Sequence, residues 1–209
     1  MHPLHTYKIS TLIFVITFLG CSANAIAQPK DSSFKKFGFQ IGVSLSNMNF
    51  NEGVPPPPEH ANASWQPGFT FIFQLRVPLA KKWVLQPEYA YSRRNGSDQT
   101  IPTTFHIDYL SFPVLINYQL SPRFNILAGP QFEITLKASS STNGNTANIT
   151  HEVEERGFGA MGGVEFLVLK SFVISGRYFQ GLNHIGIDQG STTKEFKYQS
   201  FLLTAGVRF

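Results

Sequence analysis

The sequence predicts an all-β protein, an eight-stranded antiparallel up-and-down transmembrane β-barrel. Three observations predict it. Eight segments alternate apolar and polar residues with period 2, as strands with two unlike faces do. Each runs about 13 to 16 residues, beyond the usual strand length and enough for a tilted membrane strand. The links between them alternate short and long, as periplasmic turns and extracellular loops do in outer-membrane barrels.

Taken in order, residues 1 to 27 read as a secretory signal peptide. Lys8 precedes the apolar stretch 9 to 19, and Ala25-Ile26-Ala27 offers a small-x-small cleavage site. A rival reading acylates Cys21, because Leu19-Gly20-Cys21 resembles a lipoprotein signal, although Phe18 fits that pattern poorly. Cleavage after Ala27 would remove the single cysteine and with it any disulfide framework. Residues 28 to 36 then form a short periplasmic segment, and 37 to 209 the barrel domain.

Its strands are expected at 37 to 49, 67 to 79, 83 to 95, 105 to 120, 123 to 137, 157 to 169, 171 to 184 and 196 to 209. The second shows the two faces plainly. Phe69, Phe71, Phe73, Leu75, Val77 and Leu79 share one, while Thr70, Ile72, Gln74 and Arg76 share the other. In the third, Leu85, Pro87, Tyr89 and Tyr91 oppose Gln86, Glu88, Ala90 and Ser92. A soluble lipocalin-like carrier would turn the apolar face inward. Facing it to lipid suits the 20 Phe better, because a narrow closed interior cannot hold so many rings. Local bulges are expected at Pro87 and Pro130.

The polar face should then line a narrow lumen. Gln40, Arg76, Glu88, Glu133, Glu165, Arg177 and Arg208 form its expected polar network, with Gly42, Gly129 and Gly163 leaving room. Buried charges require partners, and these arginines and glutamates can supply them. Side chains nearly fill an eight-stranded lumen, so pairing for stability is favoured over a conducting path. Short links at 80 to 82, 121 to 122 and 170 contrast with long ones at 50 to 66, 96 to 104, 138 to 156 and 185 to 195. An even strand number places both termini on the periplasmic side. The loop 138 to 156 is polar enough to be mobile, and the proline run Pro55 to Pro58 stiffens the first loop.

Composition sets limits on the function. The chain is 14% charged, against about 25% for soluble domains. No apolar run reaches the roughly 20 residues of a membrane helix. Loss of Lys8 takes the net charge from +4 to +3, diffusely spread, so nucleic acid is not an expected partner. No cofactor motif is present. A metal site would have to draw on His60, His106, His151 and His184, none of which has i, i+2 or i+4 spacing to another. A rim hydrolase would need Ser92, His106, Asp108 and His184, but no nucleophile motif surrounds them. Trp65, Trp83, Tyr89, Tyr109, Tyr118, Tyr178 and Tyr198 are expected in interfacial girdles.

The stretch DYLSFPVLINYQLSPRFNILAGPQFEITL, within residues 105 to 136, resembles the core of the PorT-like outer-membrane β-barrel proteins of Bacteroidetes. So do FGFQIGVSLSNM at 37 to 48, VLQPEYAYSRRNG at 84 to 96 and FGAMGGVEF at 158 to 166. The chain departs at Ser111, often acidic or an amide in that family, and at Asn117, often Lys. The resemblance implies an outer-membrane barrel and raises a role in protein secretion, but the shared motifs are those that build strands. The apolar row Phe201, Leu203, Ala205, Val207 and Phe209 looks like the C-terminal recognition signal read by the barrel-assembly machinery. The expected function is structural, or display of a surface for an extracellular ligand or protein. A small channel and a rim enzyme are the alternatives.

Overall fold

The computed structural model describes residues 34–52, 63–98, 103–188 and 193–209. The predicted signal peptide with Cys21, most of residues 28 to 36, the prolines at 55 to 58 and His60 lie outside the described residues. The rest is almost entirely strand: β1 (Phe37–Asn49), β2 (Ala63–Leu75), β3 (Val77–Ala80), β4 (Trp83–Asp98), β5 (Thr103–Gln119), β6 (Phe124–Thr142), β7 (Asn145–Asn148), β8 (Arg156–Leu167), β9 (Phe172–Gly181), β10 (Ile185–Asp188) and β11 (Thr193–Arg208). One 3₁₀ turn, Phe50–Glu52, follows β1. β3 continues the line of β2 beyond Arg76, and β7 and β10 are short additions beside β6 and β11. The remaining ladders run β1-β2-β4-β5-β6-β8-β9-β11 and return to β1, giving a closed eight-stranded antiparallel barrel.

The seam pairs Gly38 with Arg208 through to Asn49 with Lys197. Beyond it, the amides of Phe37 and Phe209 each bond the other's carbonyl, at 3.0 and 2.9 Å. No edge is left in the wall, as hydrocarbon requires. Gly42 and Gly206 sit on this seam, and a Cβ on either would strike backbone of the facing strand. The same holds for Gly129, facing Val114, and Gly163, facing Gly176. These glycines therefore serve close strand approach before they serve lumen space.

The faces divide as period 2 dictates, and then exchange roles along the strand. In β11, Phe201, Leu203 and Val207 point outward and exposed, while Ser200, Thr204 and Arg208 are buried inside. Nearer the long-loop end the row inverts: Phe196 and Tyr198 are buried inside, and Gln199 lies on the outward row. β1 does the same, with Phe37 to Leu45 apolar outward and Met48 and Phe50 buried inside. The outward apolar rows, Phe37 to Leu45 and Phe201 to Phe209, each span nine residues in facing register, which fits the roughly 9 to 11 of a membrane strand.

Several local expectations are corrected. β6 runs to Thr142 and turns back through β7, so the first part of the long polar link is a paired hairpin and not a loop. Its turn is Asn143-Gly144 with φ of 52° and 82°, the left-handed pair that a two-residue hairpin demands. β9 ends at Gly181, short of the expected 184, because Leu182 and Asn183 turn their amides onto the Phe158 carbonyl. No bulge forms at Pro87 or Pro130: β4–β5 pairing keeps one register from Pro87–Val114 to Ala90–Ser111, as does β5–β6 from Pro113–Gln131 to Ile116–Ala128. The register shifts fall instead between Trp65 and Phe69, between Pro78 and Ala80, and at Asp108/Tyr109.

Candidate functional site

The interior of the barrel is the candidate site, and it is filled in three layers. At the short-turn end lies a network contributed by seven strands. Glu165 is buried at its centre, accepting from Asn117 Nδ2 at 2.8 Å and from Gln40 Nε2 at 3.3 Å, and it pairs with Arg208. Arg177 bridges it, at 3.4 Å, to Glu88, at 2.6 Å. Gln86 donates to Glu88 at 2.8 Å, and Gln40 donates to Gln74 at 2.9 Å. Thr204 and Ser175 both donate to the Gln40 side-chain oxygen Oε1, at 2.6 and 3.2 Å. Buried charge is costly unless paired and hydrogen-bonded, and here each carboxylate accepts several donors.

The second layer is an ion pair that the sequence reading missed. Arg94 of β4 and Glu133 of β6, each about 1% exposed, form a bidentate pair at 2.8 and 2.6 Å. Ser111, from the intervening β5, and Gln131 donate to the same carboxylate at 3.0 and 2.6 Å. Three rings enclose the Arg94 guanidinium: Phe179 at 4.5 Å, Tyr109 at 5.2 Å and Tyr198 at 5.5 Å. Tyr109 and Tyr198 are therefore cage residues in the lumen, at 0% and 1% exposure, and not part of a girdle. Arg94 continues the row Gln86, Glu88, Ala90, Ser92, so its phase was the signal that could have found it.

The third layer is apolar. Met48, Phe50, Phe105, Ile107, Ile149, Val153, Phe196, Ile185 and Ile187 are the long-loop end of a buried apolar cluster that continues inward through Tyr109, Tyr198, Phe179 and Met161. A bridge between Val153 and Ile187 closes the loop after β7 over it. Between the two ionic layers remains a void of about 10 Å³, lined by Thr70, Ser92, Arg94, Gln131, Met161 and Arg177 among others. That is room for about one water molecule.

Of the seven expected lumen residues, Gln40, Glu88, Glu133, Glu165, Arg177 and Arg208 are buried in these layers. Arg76 is only half-buried. It sits at the β2/β3 break, donates to the Lys35 carbonyl at 3.3 Å and stacks over Phe34 at 4.9 Å, because the strand ends there at the barrel mouth. Ser111 and Asn117, where the sequence departs from the PorT-like pattern, serve as donors to Glu133 and Glu165. The terminal row Phe201, Leu203, Val207 and Phe209 is exposed outward, with Ala205 half-buried in the same row.

The rim candidates are not brought together. Ser92 is buried facing the lumen, 2.9 Å from Thr70 Oγ1. His106 is on the outward row of β5, its Nδ1 2.7 Å from Asn95 Oδ1. Asp108 forms a bidentate pair with Arg93 at 2.7 and 2.8 Å. His151 lies in the loop after β7 and His184 between β9 and β10. Among the described residues no group of three or more His, Cys, Asp or Glu is placed to hold a metal ion.

The fold is similar to those of solved structures. Neisserial surface protein A shares the fold with a TM-score of 0.53, at 13% identity over 83% of this chain and 97% of that one. The attachment invasion locus protein Ail of Yersinia pestis gives 0.49 at 18% identity, over 84% of this chain and 100% of that one. No curated protein sequence matches the chain. The family model described as an outer membrane protein beta-barrel domain matches residues 26–186. The chain belongs to that outer-membrane β-barrel family.

Proposed function

We propose that this is a sealed outer-membrane barrel, neither a pore nor an enzyme, whose working surface is its long-loop end, structural or offered to an extracellular ligand or protein. In this reading both termini face the periplasm, the outward belt contacts outer-membrane lipid, and the barrel-assembly machinery reads the terminal strand. The observation that carries it is the filling of the lumen: two ionic layers and an apolar layer follow one another, and the void between the ionic layers admits about one water. A solute path would need all three to open. The resemblance of residues 108 to 136 to the PorT-like proteins supports placing the chain near that group, but those residues build wall strands and carry no secretion role with them.

Single-channel recording in planar bilayers tests the reading. The refolded protein is expected to leave the bilayer at baseline conductance. Discrete steps from the unmodified protein, enlarged in a Glu88→Ala/Arg177→Ala variant, would establish the small channel instead.

A further inference from the structure

Every connection at the short-turn end carries a cation, and among the described residues none of these connections carries an acidic side chain. Lys35 and Lys36 lead into β1, Lys81 and Lys82 join β3 to β4, Arg123 joins β5 to β6, and Lys170 joins β8 to β9. All but the half-buried Lys35 are exposed. The ion pairs among the described residues use none of them. Glu165, the acidic side chain nearest this end of the lumen, is already held by Arg177 and Arg208.

These positions are fixed by barrel closure. The carbonyl of Lys82 accepts the Gln119 amide at 2.8 Å, that of Arg123 the Leu167 amide at 2.8 Å, and that of Lys36 the Arg76 amide at 2.7 Å. Ser171, next to Lys170, accepts the Arg208 amide at 2.7 Å. Each connection is thus tied through backbone to a neighbouring strand, and the four connections are spread around the whole ring of strands. Just inside the ring come outward aromatics: Trp83 packs on Tyr118 at 4.5 Å, and Phe37 on Phe73 and Phe209 at 6.1 and 6.2 Å. Aromatic rings of this kind sit at headgroup depth, and long basic side chains extend from there towards the polar layer. The opposite end differs in mixing signs: Arg93 is paired with Asp108, and the exposed Lys137 and Arg156 stand among the exposed Glu152, Glu154 and Glu155.

We infer that the ring formed by Lys36, Lys81, Lys82, Arg123 and Lys170 binds the phosphates of anionic phospholipids and gathers them around the short-turn end. The inference rests on the membrane-spanning reading, and it holds whichever leaflet that end occupies. The occupant is a phospholipid headgroup because the cations border an apolar, aromatic wall that acyl chains can cover.

Lipid-selective quenching tests it at one residue. Trp83 adjoins the ring, and Trp65 lies at the other end. In a Trp65→Phe protein reconstituted in vesicles, Trp83 fluorescence is compared with brominated phosphatidylglycerol or brominated phosphatidylcholine at equal mole fraction. We expect anionic lipid to quench Trp83 more efficiently by about twofold or more, and the preference to vanish in 0.5 M salt. Trp65, read in a Trp83→Phe protein, should show no preference. The Lys81→Gln/Lys82→Gln/Arg123→Gln/Lys170→Gln variant should lose it at Trp83 while keeping its heat-modifiable gel shift. Equal quenching of Trp83 by both lipids, or a preference that survives salt or neutralisation, overturns the inference. Should the variant not fold, the unneutralised protein and its salt dependence still decide. Failure of the membrane reading itself would look different, as weak quenching of both tryptophans by both lipids.

Discussion

Glu133 accepts from Arg94, Ser111 and Gln131 in a space from which water is almost wholly excluded. Removing its charge leaves the caged guanidinium buried without a counter-ion, which costs about 3 to 5 kcal/mol where measured in other proteins. Glu133→Gln is therefore expected to lower the denaturant midpoint of the micelle-folded barrel markedly. Arg94→Met combined with Glu133→Gln should lose less than the single change, because no unpaired charge remains. The period-2 phase makes half of this pair legible: Glu133 stands in a polar row, and Arg94 stands two residues beyond Ser92 in another. Which arginine meets which glutamate is not legible. Partners at one height come from β4 and β6, with β5 between them, and the stagger of the closed sheet sets that height. Tyr109 and Tyr198 share the phase of Ser111 and Ser200. A preference for tyrosine at interfaces misassigns them where phase alone would not.

Among the elements, the β6–β7 hairpin shows a turn signal stronger than its surroundings. The segment is polar throughout, with every residue of β7 exposed, and reads as a mobile loop if judged by composition. Asn143-Gly144 nevertheless supplies the two positive φ values of a tight hairpin, and the ladder follows from Ser139–Asn148 to Thr142–Asn145. Gly144→Val puts a β-branched residue where L side chains rarely go. Limited proteolysis within residues 139 to 148 should accelerate by about tenfold, as expected for strain of roughly 1 to 2 kcal/mol, while the gel shift of the barrel stays unchanged. The eight wall strands were readable because their alternation is long, whereas the short β7 and β10 fell in segments that read as loops. Strand ends were not readable, because they depend on where neighbouring strands stop, as at Gly181.

At the scale of the molecule, Phe209 ties the end of the seam. Phe209 bonds Phe37 in both directions and packs on its ring at 6.2 Å. Deleting it removes the end of the seam and the terminal apolar residue together. We expect less heat-modifiable protein in the membrane fraction and more in the soluble or degraded fraction, measured by immunoblot of cells expressing the two forms. The closed barrel itself was legible from alternation, length and the short-long rhythm of the links. The exchange of faces near the long-loop end was also written in the sequence, in the shift from Phe196 and Tyr198 to Phe201 and Leu203, but only closure shows that one set turns inward.

That exchange gives the barrel two different solvents. Along the lipid belt an apolar side chain trades one hydrocarbon neighbour for another, whereas the cluster of Phe50, Phe105, Ile149, Val153, Ile185 and Ile187 is hidden inside, at the end where the outward row is polar. Opening that cluster alone would hydrate apolar surface and raise the heat capacity. The outermost storey of the barrel should therefore loosen on cooling as well as on heating, while the ionic storeys beneath it do not share that response.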